Sequence, residues 1–434
     1  MSDVSLRRSD GPALRRDLAL ATWGLFVGLA LLMLAGGLFG TLLGVRSERV
    51  GLPTVVSSLI AASYYAGFLI GSRLTLTALS KVGHIRVYAA LASMLSAAMM
   101  LVGLTENAAA WAVLRLITGL CIAGLYVIAE SWLNDLATNE NRGRLLAVYG
   151  VVTIAFFGIG QVLLFNFDPL AVTGFAVAAI ITSIAVAPVA LSEAAAAPNL
   201  QEAQHISLRA LARVVPTGVF SCLLVGLAHG AFNGMAAIYA TRVGLSPGRV
   251  GLFVALPSLG GVLLQWPISA ASDDIDRRAV GLVTALAAAG VSALLLLDSP
   301  NKPMAFVLIC VLGGLSYPLY SIAGAYTNDW IEPEHLNAAA SQLVTLYGVG
   351  AVAGPFVAAG SMIAFGPTGF YWALVGLHLV VAVFFLYRML AWRSPLVKRP
   401  WSEVSVPARA FFVPATIIAM GRRRRRRSSR DGDG

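Results

Sequence analysis

Charge is what this sequence has little of. Only 12% of its 434 residues are Asp, Glu, Lys or Arg, about half the roughly 25% of a soluble globular chain. A water-soluble protein of this length needs a charged exterior, so water is not its main solvent. Cysteine is scarce too. Cys121, Cys222 and Cys310 stand far apart inside apolar runs, without CxxC spacing. That excludes a disulfide scaffold and argues against a metal or redox role. No Walker loop, GxSxG or HExxH occurs, so neither ATP hydrolysis nor a catalytic constellation is legible, and no enzyme activity, metal or cofactor is expected. Disorder and collagen fail against 58% hydrophobic residues and a mean hydropathy of +0.79.

What is present is apolar sequence in lengths that cross a bilayer, which takes about 20 helical residues. Twelve such stretches fall near 18–44, 54–72, 86–105, 108–133, 145–166, 170–191, 214–240, 248–270, 279–298, 303–327, 338–365 and 369–391. Continuous runs rather than alternating segments of about ten residues disfavour a β-barrel. With the N-terminus inside, the inner loops before the C-terminal segment hold 13 Lys and Arg against 5 in the outer loops. The positive-inside rule then puts both termini in the cytoplasm of an inner-membrane protein.

The chain repeats itself. Val27-Gly-Leu-Ala30 returns as Val225-Gly-Leu-Ala228 and Tyr149-Gly-Val151 as Tyr347-Gly-Val349, both at an offset of 198, while Asn134-Asp135 returns as Asn328-Asp329 at 194. Two halves of like orientation form the parallel repeat of a rocking transporter, whose site lies between them near the midplane. The expected fold is therefore all-α integral membrane, twelve transmembrane helices in two pseudo-symmetric six-helix bundles. The divisions are a cytoplasmic N-terminus (1–17), a first bundle (18–192), a cytoplasmic linker (193–213), a second bundle (214–391) and a polybasic tail (392–434). The tail holds Arg422 to Arg427 after an apolar stretch, Ala410–Met420, too short to span. It is expected either to dock on anionic lipid at about 1 kcal/mol per charge or to remain a solvated extension. The net charge of +10 is largely this tail, so no nucleic acid is expected as a partner.

Polar residues inside spans point to function, because charge at membrane depth is costly and faces the bundle interior. On span 4, Arg115, Gly119, Ile122, Tyr126 and Glu130 share one helical face. Arg115 either holds an anionic substrate group, tunes a proton-binding carboxylate, or bonds backbone carbonyls. His229 and Asn233 lie one turn apart on span 7; the histidine could bind substrate, carry a proton, or be a neutral bonded imidazole. Ser316, Tyr320, Gly324 and Thr327 make a face of span 10, and Tyr64 with Gly67 and Gly71 one of span 2. No other Asp or Glu sits mid-membrane, so proton coupling would have to use Glu130, His229 or His378.

Several motifs resemble one family. Ser272-Asp-Asp-Ile-Asp-Arg-Arg278 is similar to the cytoplasmic loop signature of the major facilitator superfamily, and Arg115-Leu-Ile-Thr-Gly119 to its fourth-helix pattern. Glu130-Ser-Trp-Leu followed by Asn141-Arg-Gly-Arg144 resembles the YcaD-like bacterial branch. The loop Thr77 to Gly83 departs from the family, with Ser80 where Asp is usual. In such a fold the loops after spans 2 and 10 meet when the cytoplasmic side closes, so Lys81 and Arg86 are expected to face Glu332 and Glu334. Asp273 and Asp276, beside Arg277 and Arg278, would face Arg142, Arg144 and the positive start of span 5. Glu130 is expected to join this gate. His378 would sit on a peripheral helix, in packing. Gly350-x-x-x-Gly354-Pro355 resembles the antiporter signature, but on span 11 rather than span 5, and reads as close packing and a bend. The function implied is a monomeric secondary active transporter of a small solute working by alternating access, with protons as a candidate coupling ion. The alternative is a transporter-derived sensor that binds solute without flux.

Overall fold

The structure, a computed structural model, describes residues 11–136, 142–191, 206–332 and 335–391. Among them twelve helical segments are long and apolar enough to span a membrane. They run Thr22–Arg49, Thr54–Val82, His84–Leu104, Ala108–Leu133, Val148–Asn166 and Thr173–Leu191 in the first half. In the second they run Pro216–Arg242, Pro247–Asp274, Arg277–Leu297, Pro303–Asn328, Ala338–Phe365 and Gly369–Ala391; all are numbered spans 1 to 12 below. Span 1 continues a helix that begins at Gly11. Two spans are broken where proline removes a backbone donor. Span 10 divides into Pro303–Ser316 and Pro318–Asn328, and span 6 into Thr173–Ile184 and Val186–Leu191, where Pro188 has no N–H for the Ile184 carbonyl.

Small residues bring the helices together. Gly67 and Gly71 of span 2 rest on the Leu116 and Leu120 carbonyls of span 4, and Gly119 answers against the Tyr64 carbonyl. A side chain at any of the three would strike backbone. Gly260 and Gly313 seat span 8 on span 10 in the same way. Gly37 and Gly160 join spans 1 and 5; Gly226, Gly230, Gly350 and Gly354 join spans 7 and 11. Corresponding spans therefore pack in corresponding pairs, making two pseudo-symmetric six-helix bundles. Close backbone approach is the available glue where lipid offers no hydrophobic gain between helices. Bulky side chains such as Leu263, Val283 and Leu390 point outward, as an apolar solvent requires.

The halves meet chiefly towards one end. Gly44 approaches the Ala237 methyl, Gly248 and Gly251 of span 8 lie on Phe165 and Gln161 at the end of span 5, and Gly348 of span 11 lies beside Leu69 of span 2. At the opposite end, spans 4 and 5 do not pack appreciably against spans 10 and 11 among the described residues. Parts of the expected organisation fall outside the described residues: 1–10, the linker residues 192–205, Glu334, and the polybasic tail from 392. The side chains of Arg142 and Arg144 do so too. The linker's last residues form a short helix, Leu208–Val214, capped where the Ala210 N–H donates to Ser207. One outer-loop charge of the topology count is inside the protein: Arg46 is 4% exposed, with its guanidinium between the rings of Trp111 and Phe175.

Candidate substrate site

The span 4 stripe lies where its spacing places it, held by the glycine contacts with span 2. Arg115 is half-buried. Its guanidinium carbon lies 4.4 Å from the Tyr64 ring and 5.5 Å from the Phe39 ring. Gly40 leaves room for it, since a Cβ there would sit 3.6 Å from a guanidinium nitrogen. One face further along, the Tyr126 hydroxyl donates to the Met33 sulfur at 3.0 Å and its ring meets Phe68. Glu130, buried at 6% exposure, accepts from the Tyr149 hydroxyl at 3.5 Å. Tyr64 itself stands edge-on to Tyr65, which packs into the core of the second half.

In that half the polar residues form one chain. His378 Nδ1 lies 2.7 Å from the Leu374 carbonyl, which can only accept, so Nδ1 carries the proton and Nε2 is an acceptor. The Ser316 hydroxyl therefore donates to His378 Nε2 at 2.8 Å. His229 Nε2 faces both the Ser316 carbonyl and hydroxyl oxygens at 3.1 Å, so it donates, and its Nδ1 accepts from the Tyr347 hydroxyl at 3.0 Å. With both imidazoles neutral, the donors run one way, Tyr347 to His229 to Ser316 to His378, tying spans 11, 7, 10 and 12 together. A small cavity bounded by Phe232, Pro257, Leu312 and Tyr317 adjoins the two histidines.

His378 lies on span 12 but is 1% exposed and bonded to the same serine as His229. The peripheral span turns this side chain inward because the serine offers the hydrogen bond that lipid cannot. Tyr320 is also buried, its ring edge-on to Tyr347 at 5.1 Å. Asn233 is half-buried and accepts from the Tyr317 hydroxyl at 3.3 Å. Thr327 stands apart: fully buried, its hydroxyl donates to the Ala323 carbonyl and presses on Gly218. It packs span 10 on span 7 instead of facing the other half. Sequence reading missed Tyr347 and Tyr149 as site residues, although their repeat offset singled them out; each bonds the buried ionisable group of its own half.

The ends carry the charges. At the closed end, Arg242 donates from Nε and Nη2 to the two Glu48 carboxylate oxygens at 2.7 and 2.6 Å, and from Nη1 to the Thr54 hydroxyl at 3.0 Å. This bridge joins span 7 to spans 1 and 2, across the halves. The sequence treated Arg242 only as a topology charge. At the other end Lys81, Arg86 and Glu332 are exposed, and no ion pair joins them among the described residues. The second expected pairing involves the side chains of Arg142 and Arg144, which lie outside the described residues. Arg277 binds Asp329 at 2.7 Å and Asp273 at 3.2 Å, and Arg278 binds Asp276 at 2.7 Å. All three contacts lie within the second half: Asp273 sits one helical turn before Arg277, Asp276 is the N-cap of span 9 beside Arg278, and Asp329 reaches Arg277 from the end of span 10.

Comparison with known proteins gives the same architecture. The family described as Major Facilitator Superfamily matches residues 218–427, and Sugar (and other) transporter matches residues 21–191. The chain is 28% identical over 342 residues to the uncharacterized MFS-type transporter YcaD of Salmonella typhi and of Salmonella newport, covering 77% of this chain and 87% of theirs. This chain is similar to the major facilitator superfamily in sequence and in fold. Two solved superfamily-like folds superpose on it. The nucleoside transporter NupG does so at a TM-score of 0.72 and 13% identity, over 86% of this chain and 100% of that one. A bacterial homologue of the lysosomal transporter Spinster, inward-facing and occupied, does so at 0.69 and 12%, over 86% and 97%. These likenesses are to multi-pass membrane transporters that handle small molecules and are not enzymes.

Proposed function

We propose that this protein is a secondary active transporter that moves a small solute across the cytoplasmic membrane by alternating access between its two bundles. The observation that carries the reading is the asymmetry of the two ends. Glu48 and Arg242 clamp the halves at one end, while at the other, spans 4 and 5 do not pack appreciably against spans 10 and 11 among the described residues. Rocking between two such arrangements needs contacts that differ between states, and a cross-half ion pair is one. With Arg73, Lys81 and Arg86 at the open end, positive-inside logic makes that end cytoplasmic, both termini cytoplasmic and the described conformation inward-facing.

The solute site lies between the bundles, with Arg115, Tyr64 and Tyr126 on one side and His229, Asn233 and Tyr320 on the other. Thr327 supports it through packing. Lys81, Arg86, Glu130, Arg142, Arg144, Glu332 and Glu334 form the gate of the cytoplasmic side when it closes. Asp273, Asp276, Arg277 and Arg278 brace that gate from within the second bundle. Protons remain the coupling ion best matched to the buried titratable groups, Glu130 with Tyr149 and the His229–Ser316–His378 chain. The bundles divide at 18–192 and 214–391, the protein works as a monomer, and the arginine tail docks on anionic lipid. Uptake by purified protein in proteoliposomes, with and without a pH gradient, tests both transport and coupling. Binding without flux under either condition would make it the sensor instead.

A further inference from the structure

Arginine in the membrane interior normally spends its N–H groups on oxygen, since an unpaired buried charge is expensive. This protein obeys that rule at most sites. Arg46 donates to the Gly103 carbonyl, Arg242 to Glu48, Arg277 to Asp329 and Arg388 to the Thr217 hydroxyl. Arg115 does not. Among the described residues its guanidinium has no ion pair and no hydrogen bond, and its neighbours are the rings of Tyr64 and Phe39. Aromatic faces attract a cation, but they accept none of its N–H bonds.

Nor is the arrangement loose. Gly119, one turn from Arg115, is pressed on the Tyr64 carbonyl, and Gly67 of the same turn of span 2 is pressed on the Leu116 carbonyl beside Arg115. The ring and the guanidinium are thus fixed relative to one another by backbone contact, and the absent side chain at Gly40 keeps the space in front of the nitrogens open. Glu130 is about 22 Å away along the helix at 1.5 Å per residue, too far to serve as counter-ion. Tyr64, Phe39, Tyr65 and Phe68 line the neighbourhood with flat apolar surface.

We infer that Arg115 is the charge-recognising group of the solute site, and that the solute is an organic anion whose carboxylate takes the guanidinium N–H groups while a flat apolar body lies along the rings. A carboxylate matches the guanidinium's planar fork and supplies the missing acceptors. The inference rests on the transporter reading for its biological sense but not for its chemistry.

Three near-isosteres decide it on the unaltered protein: benzoate, benzamide and benzylamine at millimolar concentration, read as shifts in thermal unfolding of the detergent-solubilised chain. Phenylacetate and cinnamate extend the anion arm. The expected result is stabilisation by the aromatic carboxylates, with little from acetate, benzamide or benzylamine. Arg115→Gln should weaken benzoate binding roughly ten- to a hundredfold, the range for losing a charged hydrogen bond, and Arg115→Lys should keep part of it. Should benzamide or benzylamine stabilise as well as benzoate, should none of the three carboxylates do so, or should the benzoate shift survive in Arg115→Gln, the inference is overturned. The isostere ranking stands even where the glutamine variant fails to fold. Radiolabelled uptake into proteoliposomes separates the two readings. Benzoate bound but never transported leaves this inference standing and removes transport, whereas benzylamine carried without benzoate does the reverse.

Discussion

Arg242→Glu replaces a two-pronged ion pair across the halves with two facing carboxylates. The bridge has side chains 23% and 17% exposed, between a solvated surface pair worth about 0–1 kcal/mol and hydrogen bonds to charge in a drier setting, worth about 1.5–3 kcal/mol each. Taking about 2 kcal/mol for the lost bridge and about 1 kcal/mol for the new repulsion gives about 3 kcal/mol against the conformation described here. At 1.4 kcal/mol per tenfold, that is roughly a hundredfold shift in the balance between conformations. Spin labels at Glu106→Cys and Lys302→Cys report it, one on each half at the same end, with side chains 80% and 66% exposed. The distance distribution should gain a longer population in Arg242→Glu, and Glu48→Arg added to it should restore the original one. High salt should widen the wild-type distribution in the same direction, because the pair is partly reached by solvent. If Arg242→Glu leaves the distances unchanged, or the charge-swapped double variant behaves like the single one, the bridge does not set the balance.

Three further outcomes follow from other contacts. If Lys81 and Glu334 pair in the opposite state as proposed, Lys81→Glu should stabilise the described conformation and Glu334→Lys added to it should cancel the effect; the same pair of labels reads both. Ser316→Ala should lower unfolding stability by about 1–3 kcal/mol, since it strips His378 Nε2 and His229 Nε2 of a buried partner, and denaturant unfolding that moves by a few tenths would contradict the one-way chain. Asp329→Asn leaves the fully buried Arg277 short of its closest carboxylate. It should cost about 3–5 kcal/mol, with Asp329→Glu recovering only part, measured by thermal unfolding.

Much of the fold could be read directly. The twelve apolar runs ended within about five residues of the observed spans, because a bilayer imposes both length and composition, except that span 2 continues ten residues past 72, to Val82. The stripe of span 4 was legible for a similar reason: 3.6-residue periodicity alone aligns Arg115 with Tyr126 and Glu130. The role of the glycines was half legible. Their spacing announced close contact, yet only the packed halves show that Gly67 and Gly119 lock Tyr64 beside Arg115 while Gly40 leaves space in front of it.

The contacts that join distant residues were not legible. Nothing in the sequence links His378 to His229, 149 positions earlier, since the link runs through Ser316 and depends on which way span 12 is rotated. The bridge of Glu48 to Arg242 was hidden for the same reason: its members belong to different halves and meet only through tertiary packing. Of the charges after spans 2 and 10, which the sequence does pair by sign, Lys81, Arg86 and Glu332 are exposed and form no ion pair with one another among the described residues. By itself the chain determined how many times it crosses lipid, that it does so as a doubled unit, and which residues share a helical face, for those follow from local period and solvent. Which of those faces meet, and at which end of the molecule, was decided by tertiary packing alone, because these contacts join residues far apart in sequence, which local period and solvent do not specify.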